Sequence, residues 1–380
     1  MMFEKIKLFL VLAITVLLLV FIFPFGNFYS FILNMFYGSK DIKLAMSLVN
    51  PQVKTVSSDP SNRLVLKINA FTKDGKPVKD LTIDISPELS VGEVVPSRVI
   101  TNEFGECLSN YIPPEYTLEQ LKKNTPKITI KSKILRTNIS SSIDVNLTNI
   151  PIILVHGYQE TADIFANLLL YLSSNGYKAS TISYEAEKGV VQGAQKLNDF
   201  LKDEKLNYLR EGLQVNKFCL ITHSMGGLVA RYYTCSENYV LNQNINKILF
   251  VATPHKGTHV AAIGENYFSN QGVKDLVPDN VLLLKTLPSL INNGLNPNIE
   301  VGNILSQYDE VVTPESGGLE EWNIKTYVFN VGDNNINMKN LLNGNILDAV
   351  NHKNILSNKK VFDKIKEMLE SPLPYPKKIR

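Results

Sequence analysis

The sequence has 380 residues, of which 44% are hydrophobic and 20% are charged. This balance is that of an ordinary globular protein and excludes a chain that is disordered throughout, and the length predicts two folded units and a tail. The formal net charge of +3 is small for this length, so we expect no nucleic-acid partner. The cysteines do not form a disulfide framework or a zinc motif and are interpreted as small buried residues: Cys107, Cys219 and Cys235.

An apolar run at residues 8–25 follows two basic residues, Lys5 and Lys7. The run is long enough to cross a hydrocarbon core as a helix, and its positive flank favours a cytoplasmic N-terminus. A signal peptide begins in the same way, but the residues after Phe25 lack the small side chains that signal peptidase prefers. We therefore expect residues 1–39 to anchor a single-pass cell-membrane protein, with secretion after cleavage as the alternative.

Residues 40–149 show a β pattern, in which apolar and polar side chains alternate with a period of two. The strands are predicted at 63–71, 81–85, 105–111, 127–135 and 139–147, and short strands at this spacing indicate a small all-β sandwich. The segments AFTKDGKPVKDLTIDI and VITNEFGECLSNYIPP resemble those of bacterial Ig-like domains. The resemblance implies one Ig-like β-sandwich before the rest of the chain.

At residue 150 the pattern changes to short, continuous apolar runs separated by longer helical patterns. Such runs are typical of parallel strands covered by helices on both faces, so residues 150–370 are predicted to form a mostly parallel α/β sheet. The tail at 371–380 is proline-rich, basic and predicted to be extended. The strands of the sheet are predicted at 152–155, 218–222, 247–252, 301–305 and 326–331.

The motif THSMGG begins at Thr222, directly after one predicted strand and at the start of a helical pattern. A strand–turn–helix of this kind presents a nucleophilic serine, here Ser224, and needs a small residue such as Gly226 where backbones nearly touch. The related pattern Gly-x-Ser-x-Gly has glycine where this chain has Thr222. The Met225 N–H at the helix start and the Tyr158 N–H after strand 152–155 are the predicted oxyanion donors.

Serine needs a base to remove its proton, and histidine usually supplies it. His352 follows the last predicted strand and precedes a predicted helix at 359–370, which matches the order serine, acid, histidine. Asp309 follows the penultimate strand and is the predicted acid that orients His352. Glu310 and Asp333 are its rivals.

The segments PIILVHGY, ITHSMGGLVARYY, LFVATPHKGT and YDEVVTPESG, with the His352 loop, resemble those of bacterial lipases and esterases of the α/β-hydrolase superfamily. The resemblance implies the α/β-hydrolase fold and ester hydrolysis without a cofactor. It also implies a cap insertion at about 257–300. An apolar helix at 281–287 would either cover the site or pack on the sheet edge.

His255 and His259 are four residues apart and bind a metal only if they share a helix, so no metal is expected. We expect a monomeric serine hydrolase that acts through an acyl-enzyme on lipid or other acyl esters outside the cytoplasm. Two alternatives stay open: an acyltransferase that uses the same acyl-enzyme, and a catalytically inert surface binding protein.

Overall fold

The computed structural model describes residues 42–123, 126–265, 267–329 and 351–379. The chain divides into two compact units. The predicted membrane segment at 8–25 lies outside the described residues. Within the described ranges, none of the helices combines the length and the apolar character that a membrane crossing requires.

The first unit contains residues 42–56, 60–115 and 126–147 of the described chain and is built mainly from antiparallel strand pairs. One sheet has the order β1-β3-β7-β5, and the other contains β2-β9-β8-β4-β6. The arrangement fits the predicted small β-sandwich. The strands are β1 (Ile42–Leu48), β2 (Thr55–Ser57), β3 (Leu64–Thr72), β4 (Thr82–Pro87), β5 (Glu93–Val95), β6 (Arg98–Ile100), β7 (Glu106–Ile112), β8 (Lys127–Ile134) and β9 (Ser140–Thr148).

Alternation along the strands builds the core of this unit, because successive side chains of a strand point to opposite faces. In β3, Leu64, Leu66 and Ile68 are buried, and the residues between them are not. The predicted strands correspond to β3, β4, β7, β8 and β9 with ends shifted by one or two residues. The strands β2, β5 and β6 have three residues each, too few to show a period.

The second unit contains residues 57–59, 116–123 and the described residues from 148 onward. Its central sheet has six strands in the order β11-β10-β13-β14-β15-β16, and neighbouring strands are parallel. All the strands predicted in this part of the chain are present. The strands are β10 (Ile152–Val155), β11 (Ala179–Ile182), β12 (Leu213–Gln214), β13 (Phe218–His223), β14 (Ile245–Val251), β15 (Glu300–Ser306) and β16 (Thr326–Phe329).

Helices alternate with these strands. The α-helices are α1 (Leu118–Lys123), α2 (Ala166–Ser174), α3 (Val190–Arg210), α4 (Met225–Cys235), α5 (Glu237–Asn242), α6 (His259–Gly264), α7 (Gln271–Leu276), α8 (Leu287–Ser289), α9 (Pro314–Gly317) and α10 (Lys359–Glu370). Short 3-10 helices lie at Glu88–Ser90, Ala162–Phe165, Ala186–Lys188, Ile291–Asn293, Glu320–Trp322 and Asn354–Ser357, and a π-helical turn lies at Leu282–Thr286.

Helices cover both faces of the parallel sheet. Ile153 and Val155 of β10 belong to an apolar cluster that includes α3 and α4. Ile152 and Leu154 of the same strand belong to a second cluster with α2 and α10. Because both faces are covered, all four residues of β10 are buried and the strand reads as a continuous apolar run.

The tail after α10 is extended, as predicted, and is bound to the second unit. The Val301 N–H donates to the Pro374 carbonyl, and the Lys377 N–H donates to the Trp322 carbonyl. Lys247 of β14 is buried beneath the end of α10, where its Nζ lies 3.0 Å from the Met368 carbonyl oxygen and 3.3 Å from Glu300 Oε2. A buried ammonium therefore holds the end of the last helix against the sheet.

We expect Lys247→Ala to lower the free energy of unfolding of the second unit by about 3 kcal/mol, because Glu300, whose side chain is only 14% exposed, loses its charged partner, and the carbonyls at the end of α10 lose their donor. Urea titration followed by the fluorescence of Trp322, the single tryptophan of the chain, measures the change. Lys359→Ala is the control: Lys359 pairs with Asp363 at 2.8 Å, but its side chain is 79% exposed, so we expect less than about 1 kcal/mol. Equal losses in the two variants would contradict the role of Lys247.

Candidate active site

Ser224 occupies the single residue between the end of β13 and the start of α4, with φ 51° and ψ −127°. L-residues rarely adopt this conformation, which costs on the order of 1–3 kcal/mol. The turn is held by main-chain bonds at 3.0 Å from the Ser224 N–H to the Val251 carbonyl and from the Gly227 N–H to the Ser224 carbonyl. The sharp turn presents the hydroxyl at the end of the strand, as the motif predicts.

Two glycines allow the backbone to pass close to this turn. A Cβ on Gly226 would lie 2.3 Å from the Val155 carbonyl oxygen, and a Cβ on Gly157 would lie 2.7 Å from the Ser224 Cβ. Neither position has room for a side chain. Thr222, where related sequences have glycine, is buried and places its Oγ1 3.4 Å from the Leu249 carbonyl oxygen. The sheet therefore accommodates the departure from the Gly-x-Ser-x-Gly pattern.

The structure brings Ser224, His352 and Asp309 together. His352 Nε2 lies 2.9 Å from Ser224 Oγ, and His352 Nδ1 lies 2.9 Å from Asp309 Oδ2. Because Nδ1 faces a carboxylate it carries the proton, and Nε2 is left to accept from the serine hydroxyl. The Val311 and Val312 N–H groups donate to Asp309 Oδ1 at 2.9 and 2.8 Å, which fixes the carboxylate in a fully buried position.

The rival acids lie elsewhere. Glu310 Oε2 accepts from the His352 main-chain N–H at 3.2 Å and does not bond the imidazole. Asp333 lies outside the described residues.

Two of the other histidines have structural partners. His156 donates from Nδ1 to the Gly157 carbonyl and stacks on Tyr184 at 4.4 Å between ring centroids, and burial lowers its pKa. His255 is buried beside Arg231, and burial, with the Arg231 charge, holds its pKa well below the ordinary value. Helix α6 begins at His259, so His255 and His259 do not share a helix.

The two predicted oxyanion donors flank Ser224. Met225 is the first residue of α4, and Tyr158 follows the close-packed Gly157. Among the described residues, neither main-chain N–H has a hydrogen-bond acceptor. Both amides are therefore free to donate to an oxyanion formed at Ser224.

An apolar cleft of about 230 Å³ opens beside Ser224 and His352. The segment 258–276, with α6 and α7, forms much of its wall. The predicted apolar helix at 281–287 does not line the cleft, since Leu282 and Leu287 pack into the core. The apolar lining includes Val260, Ala261, Phe268, Val273, Leu276 and Val311.

Sequence reasoning missed Glu160 and gave His223 no role. Glu160 Oε2 lies 2.8 Å from His223 Nδ1, and His223 Nε2 lies 2.8 Å from the His352 carbonyl oxygen. A glutamate in a loop is usually solvated, so nothing in the sequence marks Glu160. The potential ligand atoms of Glu160, His223 and His352 lie within 4.8 Å of one another, but each ring nitrogen already has a hydrogen-bond partner.

A parallel sheet with helices on both faces, a serine on a strand–helix turn, and a carboxylate and a histidine on later loops are the features of the α/β-hydrolase fold. Residues 190–278 match the family described as PGAP1-like alpha/beta domain, which is 89 of the 380 residues. Comparison with the curated proteins finds no match.

Among solved structures, this chain is similar to the mature lipase BlEst2 of Bacillus licheniformis, with 15% identity, a TM-score of 0.42, and coverage of 58% of this chain and 91% of that one. Aspergillus fumigatus lipase B gives 13% identity, a TM-score of 0.42, and coverage of 60% and 54%. Phospholipase PlaB from Legionella pneumophila gives 17% identity and a TM-score of 0.36, with coverage of 45% of this chain and 44% of that one. All three TM-scores are below 0.5, so we draw nothing on function from these likenesses.

We expect Gly157→Ala to slow the reaction of Ser224 with a fluorophosphonate probe by about 10²-fold, since the new Cβ would displace the serine and the adjacent oxyanion donor. Labelling rates and intact-protein mass spectrometry measure the change. Gly176→Ala is the control, because it strains the backbone at a φ of 92° but its Cβ would meet no atom closer than 3.6 Å. An unchanged labelling rate in Gly157→Ala would contradict the close packing at Ser224.

Proposed function

We propose that this protein is a serine carboxylic-ester hydrolase, of the lipase or esterase type, with Ser224 as nucleophile, His352 as general base and Asp309 as the acid. One observation carries the proposal: an unbroken hydrogen-bonded series from Ser224 Oγ through His352 to the buried Asp309 carboxylate, with both contacts at 2.9 Å. This series supplies what a hydroxyl needs to attack a carbonyl at neutral pH.

In the proposed reaction, His352 Nε2 takes the proton of Ser224 as Oγ attacks the ester carbonyl carbon. The oxyanion accepts hydrogen bonds from the Met225 and Tyr158 N–H groups, and the Asp309 carboxylate stabilises the imidazolium. The C–O bond to the leaving alcohol then breaks, and His352 returns the proton to that oxygen. A water molecule attacks the acyl-enzyme by the same route, which releases the carboxylic acid and restores Ser224.

The apolar cleft supports an acyl ester as the substrate class. Its lining is aliphatic and aromatic, and it shares Ser224 and His352 with the proposed centre. An acyl chain in the cleft would remove apolar surface from water at about 0.8 kcal/mol per methylene. Ala261 of α6 lines the cleft, whereas Ile263 of the same helix is 67% exposed and absent from the lining.

We expect Ser224→Ala to lower kcat for p-nitrophenyl butyrate by about 10⁶-fold and Asp309→Asn by about 10⁴-fold, because these changes remove the nucleophile and the group that orients His352. Initial rates at saturating substrate measure both. Glu310→Gln tests the rival acid and should cost less than about tenfold, since Glu310 bonds only the main chain of His352. A larger loss in Glu310→Gln than in Asp309→Asn would reassign the acid.

We expect Ala261→Phe to shorten the acyl chain that the cleft accepts. If the ring displaces two methylenes, kcat/KM for the octanoate ester falls relative to the acetate ester by more than about tenfold. Rates across p-nitrophenyl esters of increasing chain length measure this ratio. Ile263→Phe is the matched control and should leave the ratio unchanged, whereas a parallel loss on acetate and octanoate in Ala261→Phe would show that the cleft does not hold the acyl chain.

A further inference from the structure

Glu160 and His223, here called the Glu160–His223 pair, form a buried contact next to the proposed centre. Their side chains are 4% and 0% exposed, and Glu160 Oε2 lies 2.8 Å from His223 Nδ1. The same oxygen accepts the Gly157 N–H at 2.7 Å. Burial on its own would raise the pKa of Glu160, but the charge and hydrogen bond of His223, with the Gly157 N–H, hold it below the ordinary value. Glu160 is therefore ionised.

The other ring nitrogen of His223 also faces an acceptor. His223 Nε2 lies 2.8 Å from the carbonyl oxygen of His352, and a carbonyl can only accept a hydrogen bond. A neutral imidazole carries one proton and would leave one of the two contacts without a donor. Because the Glu160 carboxylate is ionised and can only accept, both contacts are satisfied when each ring nitrogen carries a proton, that is, when His223 is an imidazolium.

We propose that Glu160 and His223 form a permanent ion pair that positions His352. In this pair the positive charge of His223 offsets the negative charge of Glu160 near the His352 imidazole. This inference rests on the proposed function, because it assigns His223 and Glu160 as positioning residues for the same reaction. The main chain of His352 is held from two sides: its N–H donates to Glu310, and its carbonyl accepts from His223. His223 therefore ties the loop that carries the base to the turn that carries Ser224.

The pair also acts through its charges. The potential ligand atoms of Glu160, His223 and His352 lie within 4.8 Å of one another. An unpaired Glu160 carboxylate at this distance would favour the imidazolium form of His352 and leave less of the free base that attack requires. The positive charge of His223 offsets that field. The titratable groups that lie around the pair and His352 include His156, Tyr158, Tyr184, Asp309, Glu310 and Lys353, and Glu187 lies beyond His156 and Tyr184.

The variants His223→Gln, Glu160→Gln and the double variant separate charge from packing. His223→Gln leaves the Glu160 carboxylate uncompensated beside His352. The acid limb of the profile of kcat/KM against pH should therefore move up by about one pH unit. Glu160→Gln removes that carboxylate and should not move the limb upward. The double variant is neutral and should return the limb to its wild-type position. His259→Gln, at an exposed histidine, is the matched control and should leave the limb in place.

The full-length wild-type chain labelled with ¹⁵N-histidine provides a readout that does not depend on activity, and its result for His223 needs no variant. We expect both ring nitrogens of His223 to show a directly bonded proton at neutral pH, and one to lose it in Glu160→Gln. A single protonated nitrogen on His223 in the wild-type protein would overturn the ion pair. If every variant is slower but the acid limb does not move, the proposed electrostatic role of the pair is wrong, and only a packing role remains.

The two proposals fail in different ways. If the wild-type protein hydrolyses no ester but His223 carries two ring protons, the proposed function is wrong and the ion pair stands. If the protein is an active esterase and His223 carries one ring proton, the proposed function stands and the ion pair is wrong.

Discussion

At the end of β13 the chain turns from strand to helix within one residue, Ser224. This turn requires a strained backbone conformation at Ser224, with a positive φ of 51°. The surrounding main chain maintains that conformation: the Ser224 N–H is bonded to β14, and Gly226 is pressed against the Val155 carbonyl. The main chain of the neighbouring parallel strands therefore fixes the position of Ser224. The side chains of Asp309 and His352, on later loops, can form a hydrogen-bonded series with Ser224 because this turn holds its hydroxyl in one place.

A charged side chain that is buried near Ser224 needs a partner of its own. Asp309 is fully buried and accepts two main-chain N–H groups in addition to the His352 imidazole. Glu160 is nearly buried and is shared between the Gly157 N–H and His223. Desolvation would otherwise drive the Glu160 carboxylate toward its neutral form. The same low exposure strengthens the electrostatic effect of each group on the imidazole between them.

The wall of the cleft is tied to the same centre by side chains at helix starts. Asn270 accepts the Val273 N–H at the start of α7 and donates to the Tyr158 hydroxyl at 2.8 Å. Thr258 precedes α6 and donates to the Val311 carbonyl, two residues beyond Asp309. The wall is therefore connected both to the loop with the proposed oxyanion donor and to the loop with the proposed acid. A change in the position of this segment would be felt at both.

The sequence by itself determined the parallel strands and the place of Ser224, because burial on two faces leaves continuous apolar runs and a strand–turn–helix needs small residues at set positions. The chain order also selected His352 and Asp309 as candidates, and the fold brings their side chains into contact with each other and with Ser224. Tertiary structure alone decided between the neighbours Asp309 and Glu310, since only the loop conformation sets which carboxylate meets the imidazole. It decided too that Glu160 pairs with His223, across 63 positions of the chain. Such contacts depend on where loops meet in space. Loops have no periodic sequence pattern from which these contacts can be predicted.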